Sequence, residues 1–429
     1  MYIPKKVSKK LSNKYIIQKK SNFKKKTKKT KKTKKTKNIA KKFTARIIIR
    51  DNSGGVDVDK DTIKDVLESI GGTVEVVIYS DIIKSKELLN FEKVNIQIFI
   101  EHVLLKDIPA DKTYIFINQE WISGLDITII KSEKVIPLCK THEALKILHN
   151  IGINNAKYVG FGNNNQFKYI NDIDKLPNLF IHIVGGSPLK GTKIIIDTWI
   201  QKNITHPLII TVNNKAGGNT SLFNYWKSLK PTLKELPDSI LNKWEEWKKI
   251  TNMNSNSLSN LPQFETIDSS PVYFCNTVLE YNVIQFLQSI ADVHMCPSFI
   301  EGWGQYIDEG RRAKTVVLTL NAPPMNELIT DNNTKLSNGI LVTASKGPNM
   351  REILPPGWTQ YFTKYHEYNK FLYGTYKTTI ENLYNGISRI LKMTPDKKRQ
   401  LGNNAFKQSQ KDYKEFQNKF SKLILEQNK

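Results

Sequence analysis

Pro297-Ser298-Phe299-Ile300-Glu301-Gly302-Trp303-Gly304-Gln305-Tyr306-Ile307-Asp308-Glu309 is the stretch on which the fold turns. The apolar run before it, Ala291 to Cys296, predicts a strand, and Gln305 to Lys314 after it predicts a helix. Strand, glycine-rich loop and helix form the unit with which α/β proteins meet their ligands. Gly302 and Gly304 let the backbone approach a ligand closely, and the amides that open the helix can donate to anionic or hydroxyl groups. Glu301 stands before the helix and Glu309 just over one turn inside it, so the two carboxylates reach opposite ends of one bound molecule.

That spacing suits a sugar nucleotide. The E-x7-E pair follows Pro297-Ser298 and precedes Val316-Val317-Leu318-Thr319, then Pro324-Met325-Asn326-Glu327-Leu328-Ile329, then Asn338-Gly339-Ile340-Leu341-Val342. These pieces, in this order, resemble the donor-binding half of family 4 (group 1) retaining glycosyltransferases of GT-B type. Asn118-Gln119-Glu120-Trp121, Leu138-Cys139-Lys140-Thr141-His142 and Tyr158-Val159-Gly160-Phe161 resemble the first half of a less-characterised branch of the same family. The likeness covers most of residues 45 to 350 and is weakest at its start. It implies an α/β protein of two Rossmann-like lobes facing across a cleft, with a C-terminal helix crossing back to the first lobe. The implied activity is transfer of a sugar from a nucleotide-diphosphate sugar to an acceptor hydroxyl on a glycan, protein or lipid, with retention and with neither cofactor nor metal.

A chain of 429 residues is long for one core, and two domains are expected. The net charge of +25 is concentrated at one end: residues 1–42 carry 19 Lys and no acid, which leaves 25 − 19 = +6 for the rest. The near-repeat Lys24 to Lys37, alternating Lys pairs with Thr, has no apolar period, and residues 1–42 are expected to be a disordered tail. Such a block is suited to anionic lipid headgroups, nucleic acid or another polyanion, or an acidic partner, and equally to solvating the chain. Specific nucleic-acid binding is not expected, because no aromatic-basic interleaving marks the remainder. Cys139, Cys275 and Cys296 lie in or beside apolar runs without paired spacing, which excludes a disulfide framework or zinc site. Neither a signal peptide nor a span of 18 apolar residues is visible, so the expected location is the cytoplasm, with the tail able to hold the chain peripherally at a membrane surface.

The first lobe is predicted over 43–165. It opens with a strand at Ala45–Arg50, a loop Asp51 to Asp57, a helix Asp61–Ile70 stopped by Gly71-Gly72, and a second strand. Strand candidates at Val94–Ile100, Thr113–Ile117, Lys134–Leu138 and Ala156–Val159 follow, and their alternation with helices predicts a parallel sheet. Ligands of such sheets meet the carboxyl ends of the strands. That singles out Glu101 and His102, then Asn118 and Glu120, then Lys140 and Thr141, and the resemblance implies that the loop after the first strand, with Ser53, Gly54 and Gly55, also faces the cleft. Ser53, Gly54, Gly55, His102, Asn118 and Glu120 are the acceptor-side candidates, although the first three equally suit a plain tight turn.

A linker is predicted over 166–178 and the second lobe over 179–395. After a strand at Leu179–Val184, Gly185-Gly186-Ser187-Pro188-Leu189-Lys190-Gly191 opens a helix, and the glycines with Lys190 suit a diphosphate. The order of a Walker A loop is absent, and so is the Arg that many of the resembling enzymes carry in this loop, which leaves Lys190 as the main charge. By resemblance the donor-binding set is Gly185, Gly186, Ser187, Lys190, Asn276, Glu301, Gly302, Trp303, Gly304 and Glu309, and the catalytic set is Glu301, Lys190 and His102. Residues 213–270, with Trp226, Trp244 and Trp247, depart from the family and are read as an insertion packed as a satellite on the second lobe. Gly310-Arg311 replace the family's usual Ala-Met, which is expected to loosen the helix, since Gly in a helix interior costs roughly 1 kcal/mol against Ala. The helical spacing over 396–429 predicts the crossing strap. Two rival readings are a sugar-nucleotide epimerase on the same fold and an anionic-surface or nucleic-acid binder acting through the tail.

Overall fold

The computed structural model describes residues 42–50, 55–79, 91–104, 108–132, 134–163, 172–185, 187–212, 220–251, 261–268, 270–353 and 374–427. The Lys-rich segment 1–41, and with it the expectation of a disordered tail, lies outside them.

Six strands build the first sheet: β1 (Phe43–Ile49), β2 (Gly72–Ile78), β3 (Val94–Ile100), β4 (Ala110–Ile117), β5 (Val135–Cys139) and β6 (Lys157–Tyr158). All pair in parallel, in the order β2-β1-β3-β4-β5-β6. A parallel strand is covered on both faces, which is why β1, β3 and the second half of β4 are nearly unbroken apolar runs. The helices are α1 (Gly55–Ser69), α2 (Gly124–Lys131) and α3 (His142–Asn150). Helix α1 begins six residues before the Asp61 predicted from sequence, so Gly55 is its first residue. Gly55, expected in a turn, opens the helix instead, because the helix buries Val56, Asp59, Ile63 and Val66.

The second sheet has eight strands in the order β14-β13-β12-β7-β8-β11-β10-β9. These are β7 (Leu176–Val184), β8 (Leu208–Val212), β9 (Thr232–Lys234), β10 (Phe264–Ile267), β11 (Ser270–Cys275), β12 (Ala291–Cys296), β13 (Val316–Leu320) and β14 (Ile340–Val342). Strand β7 starts at Leu176, inside the stretch read as linker: Pro177 sits near the head of the strand, where a missing N–H is tolerated. Around the sheet lie α4 (Thr192–Gln201), α5 (Thr220–Ser228), α6 (Asp238–Ile250), α7 (Tyr281–Ile290), α8 (Gln305–Arg312), α9 (Met325–Leu328), α10 (Met350–Ile353) and α11 (Ile380–Leu391).

The insertion is not a satellite. Strand β10 pairs antiparallel with β11, and β9 pairs antiparallel with β10, so the two extend the sheet beyond β11. Trp226 stacks on Phe274 at 4.7 Å and Trp244 meets Phe286 edge-on at 4.8 Å, so these indoles are core and offer no surface to an acceptor.

Helix α12 (Pro395–Gln427) joins the two lobes. Its first half seals the second lobe: Leu401 and Ala405 are buried, and Lys398 donates to Asn178 Oδ1 at 2.5 Å and Asp292 Oδ2 at 2.8 Å. Its second half reaches the first lobe, where Phe416 and Phe420 stand 6.1 and 5.4 Å from the ring of Phe116 on β4. Phe161, 4.9 Å from Phe416 and 5.1 Å from Trp303, closes the chain of rings between the lobes. One apolar core therefore runs through both. Among the described residues no helix is long and apolar enough to cross a membrane.

Candidate active site

The strand order reverses between β1 and β3 in the first sheet and between β7 and β12 among the parallel strands of the second. A crevice opens at the carboxyl ends of strands at such a point. Both crevices contribute to the site.

On the second lobe the loops after β7 and β12 are locked together. Ser187 caps a short 3-10 turn, Pro188–Lys190, through a 3.3 Å bond from the Leu189 N–H to its hydroxyl. Phe299 N–H donates to the Leu189 carbonyl at 2.8 Å. Gly191, at φ 75°, lies flat against the Pro297 carbonyl, a position where a Cβ would collide. This packing carries Lys190 to Glu301, 111 residues away: Nζ donates to Oε1 at 2.6 Å and lies 4.7 Å from the Tyr306 ring centroid. The Ser298 hydroxyl donates to the same carboxylate.

Gly304, at φ 103°, turns the chain into α8. One turn on, Glu309 accepts from Gln288 Nε2 at 2.9 Å and from Gln305 Nε2 at 3.5 Å. Burial raises its pKa above the usual carboxylate value, against the lowering effects of Arg312 and of the Gln288 hydrogen bond.

Gly310 has a different role from the one read in sequence. A Cβ there would stand 2.7 Å from His294 Nδ1 and 2.9 Å from a Val317 methyl, so glycine lets α8 press onto β12 and β13. Alanine gains about 1 kcal/mol in helix propensity, yet overpacking a tight core costs about 1–3 kcal/mol. Because His294 is buried in a central strand and has little room to yield, Gly310→Ala should lower stability by roughly 1 kcal/mol in urea unfolding, where propensity alone would raise it. The neighbouring Arg311 is buried and paired with Asp412 of α12, and Ser409 of the same helix donates to Asp308 at 2.7 Å. Gly310 and Arg311 therefore fasten the helix that carries Glu309.

On the first lobe, the ends of β3, β4 and β5 carry a polar chain. Glu101, in the left-handed region at φ 68°, accepts from Asn118 Nδ2 at 2.6 Å. Asn118 Oδ1 accepts from Lys140 Nζ at 2.9 Å, and Lys140 is also paired with the buried Asp59 of α1. Burial raises the Asp59 pKa, with Lys140 opposing. His102 Nδ1 lies 2.9 Å from Asp126 Oδ2, and Asp126 also takes part in the capping box that opens α2. Burial disfavours charge on His102, but the hydrogen bond and charge of Asp126 outweigh it, and the imidazole holds its proton to higher pH than usual.

The two halves touch. Gln119 Nε2 donates to the Glu301 carbonyl at 2.7 Å, and a Cβ on Gly302 would stand 2.7 Å from both Asn118 Oδ1 and Glu120 Oε2. Glycine at 302 is thus what allows the strand ends of one lobe to reach the donor loop of the other. Gln305 likewise lies over Gly55 at the head of α1, where a Cβ would be 2.8 Å from its Oε1. Further along, the Glu327 carboxylate accepts from His142 N at 2.7 Å and Glu143 N at 2.9 Å, so a second-lobe acid satisfies the first turn of α3. Burial, and then the charge of Glu301, push the Glu120 carboxyl up to about 8.

The structure thus gathers Lys190, Glu301, Gly302, Asn118 and Glu120 at the contact, with Gly55 beside Gln305 and Glu309 along α8. Gly185 ends β7 facing open space, and Asn276 is exposed just beyond the end of β11. The Trp303 side chain is 5 % exposed and packs in the aromatic core against Phe161, which accounts for its indole without a ligand. Ser53, Gly54 and Gly186 lie outside the described residues. Asp59, Asp126 and Gln119 escaped the sequence reading; only the capping pattern Ser123-x-x-Asp126 gave any local signal. Among the described residues no three His, Cys, Asp or Glu are grouped to hold a metal ion.

No protein-family profile matches the chain, and no curated protein sequence matches it. Solved structures do. A glycosyltransferase from Rickettsia africae is similar over 90% of this chain and 99% of its own, at 12% identity and TM-score 0.56. Sucrose-phosphate synthase from Thermosynechococcus elongatus is similar over 89% and 98%, at 12% identity and TM-score 0.54. HepE of Anabaena, solved with UDP and glucose, is similar over 88% and 98%, at 14% identity and TM-score 0.50. The fold is GT-B, two Rossmann-like lobes.

Proposed function

We propose that the protein is a glycosyltransferase that moves a sugar from a nucleotide-diphosphate sugar to an acceptor hydroxyl, with retention at the anomeric carbon and without a metal. The observation that carries this reading is the Lys190–Glu301 pair at the point where the order of the second sheet reverses, with Glu309 on the helix that follows. In support, the similar Anabaena structure was solved with UDP and glucose.

In this reading the acceptor oxygen attacks the anomeric carbon while the bond from that carbon to the diphosphate oxygen breaks, and the acceptor hydroxyl's proton passes to the departing diphosphate. The chemistry demands a counter-charge for the departing diphosphate and a fixed acceptor, more than a dedicated nucleophile. Lys190 supplies the charge, exchanging Glu301 for phosphate oxygens, aided by the amides that open the helix after β7. A lysine and a helix terminus take the place of a cation. Glu309 holds the ribose hydroxyls, and Glu301 with the amides of Gly302 to Gly304 holds the transferred sugar. The acceptor lies on the first-lobe side, against Gly55, His102, Asn118 and Glu120, where His102 is held in orientation by Asp126.

The test is to incubate the purified chain with a panel of nucleotide sugars, with and without a chelator, and to follow released nucleoside diphosphate. One donor should be consumed at the same rate in both conditions, and the anomeric configuration of the product, read by NMR, should equal that of the donor. Failure of every nucleotide sugar to bind in calorimetry rejects the reading, and loss of turnover with chelator rejects metal independence.

A further inference from the structure

Glu120 occupies a position that Glu301, Lys190 and His102 do not explain. It lies three residues beyond the end of β4 and one after Gln119, whose bond to the Glu301 carbonyl fixes this turn against the donor loop. Its Oε2 is buried and has no hydrogen-bond partner among the described residues. Directly across from it is Gly302, and the charged groups that act on it are Glu301 and Lys190 from the second lobe and Glu101 from the end of β3. Lys190 is engaged by Glu301, and Lys140, just beyond β5 on the first lobe, by Asp59 and Asn118. Asn118 is engaged as well: its Nδ2 donates to Glu101, and its Oδ1 accepts from Lys140 Nζ.

A carboxylate in this place is a buried charge beside two others of the same sign, opposed only by the backbone N–H of Glu120 itself and by the charge of Lys190, and its Oε2 has no donor. A neutral carboxylic acid avoids that penalty and has one O–H to give. We propose that Glu120 stands in the closed cleft as the neutral acid and donates its hydrogen to an oxygen of the sugar bound over Gly302. This rests on the glycosyl-transfer reading and adds to it a residue that touches the sugar from the acceptor lobe. No proton changes owner: Glu120 holds the sugar and does not activate the acceptor. The direction of its titration agrees, since burial and the Glu301 charge favour the protonated form up to about pH 8.

Two measurements decide it, and the first needs no sugar. Potentiometric titration of the whole chain from about pH 6 to about pH 9 should release one more proton from the wild type than from Glu120→Gln. Equal release overturns the proposal even if no nucleotide sugar is ever turned over, so this arm is independent of the proposed function. The second is the pH profile of kcat with the donor found in the panel. Wild-type turnover should fall as pH rises through about 8, where the neutral acid is lost. Glu120→Ala should lose roughly ten- to a hundredfold in kcat/KM, the range for deleting one hydrogen bond to substrate, with nucleoside diphosphate affinity unchanged. Glu120→Gln, whose amide still donates, should recover most of that loss and abolish the alkaline fall. A glutamine variant as impaired as the alanine one means that the carboxylate itself is required, and the neutral-acid role is wrong.

Discussion

Replacing Lys190 with alanine should weaken nucleoside diphosphate binding by about 1.5–3 kcal/mol, roughly ten- to a hundredfold in Kd by calorimetry, because a charge-assisted bond to phosphate is lost. The same change should also lower stability. Glu301 is 7 % exposed and would keep only the Ser298 hydroxyl, while Lys190 is 20 % exposed, so solvent softens the break. A loss of about 1–2 kcal/mol is expected, below the 3–5 kcal/mol of a fully buried pair. The double variant Lys190→Ala/Glu301→Gln separates the two effects, since removing the orphaned charge restores stability and leaves nucleotide binding impaired. If the double variant binds the diphosphate like the wild type, Lys190 is not a phosphate ligand.

Phe416→Ala carries the largest expected cost to stability, about 3–5 kcal/mol for emptying a buried aromatic site. The ring is fully buried among Phe116, Phe161 and Phe420, which come from the first lobe, its exit and the next turn of α12. Urea unfolding measures it, and a loss under about 1 kcal/mol would mean that the site collapses around the gap. Turnover should suffer more than nucleotide affinity, because Lys190 and Glu309 belong to the second lobe while the damaged contact joins the lobes.

Much of this architecture is legible in the chain because local patterns carry it. The strand-loop-helix around Glu301 and the loop bearing Lys190 are continuous segments, and their chemistry shows in the residue types alone. Asp59 could not be found in this way. It lies inside an amphipathic helix, and only the fold sets it against Lys140, 81 residues later. Gln119 was quoted only for family likeness; its importance is a bond across 182 residues to a backbone oxygen, which no side-chain pattern encodes. Gly310 misled because helix propensity was weighed without knowing that His294 fills the space its missing side chain leaves. The insertion misled because Thr232–Lys234 and Phe264–Ile267 are too short to announce themselves as strands. Trp303, in the motif itself, is held by core packing, which outweighs its place in the sequence.

Helix α12 has a mechanical meaning. Its 33 residues form a rod of roughly 50 Å, pinned to the second lobe near Lys398 and Asp412 and to the first by two stacked rings. A continuous helix resists bending, so when the lobes part or twist the easier motion is rotation about the rod. The edge-on ring of Phe116 and the tilted ring of Phe161 around Phe416 and Phe420 then act as a bearing, and the cleft opens like a book whose spine is the last element of the chain.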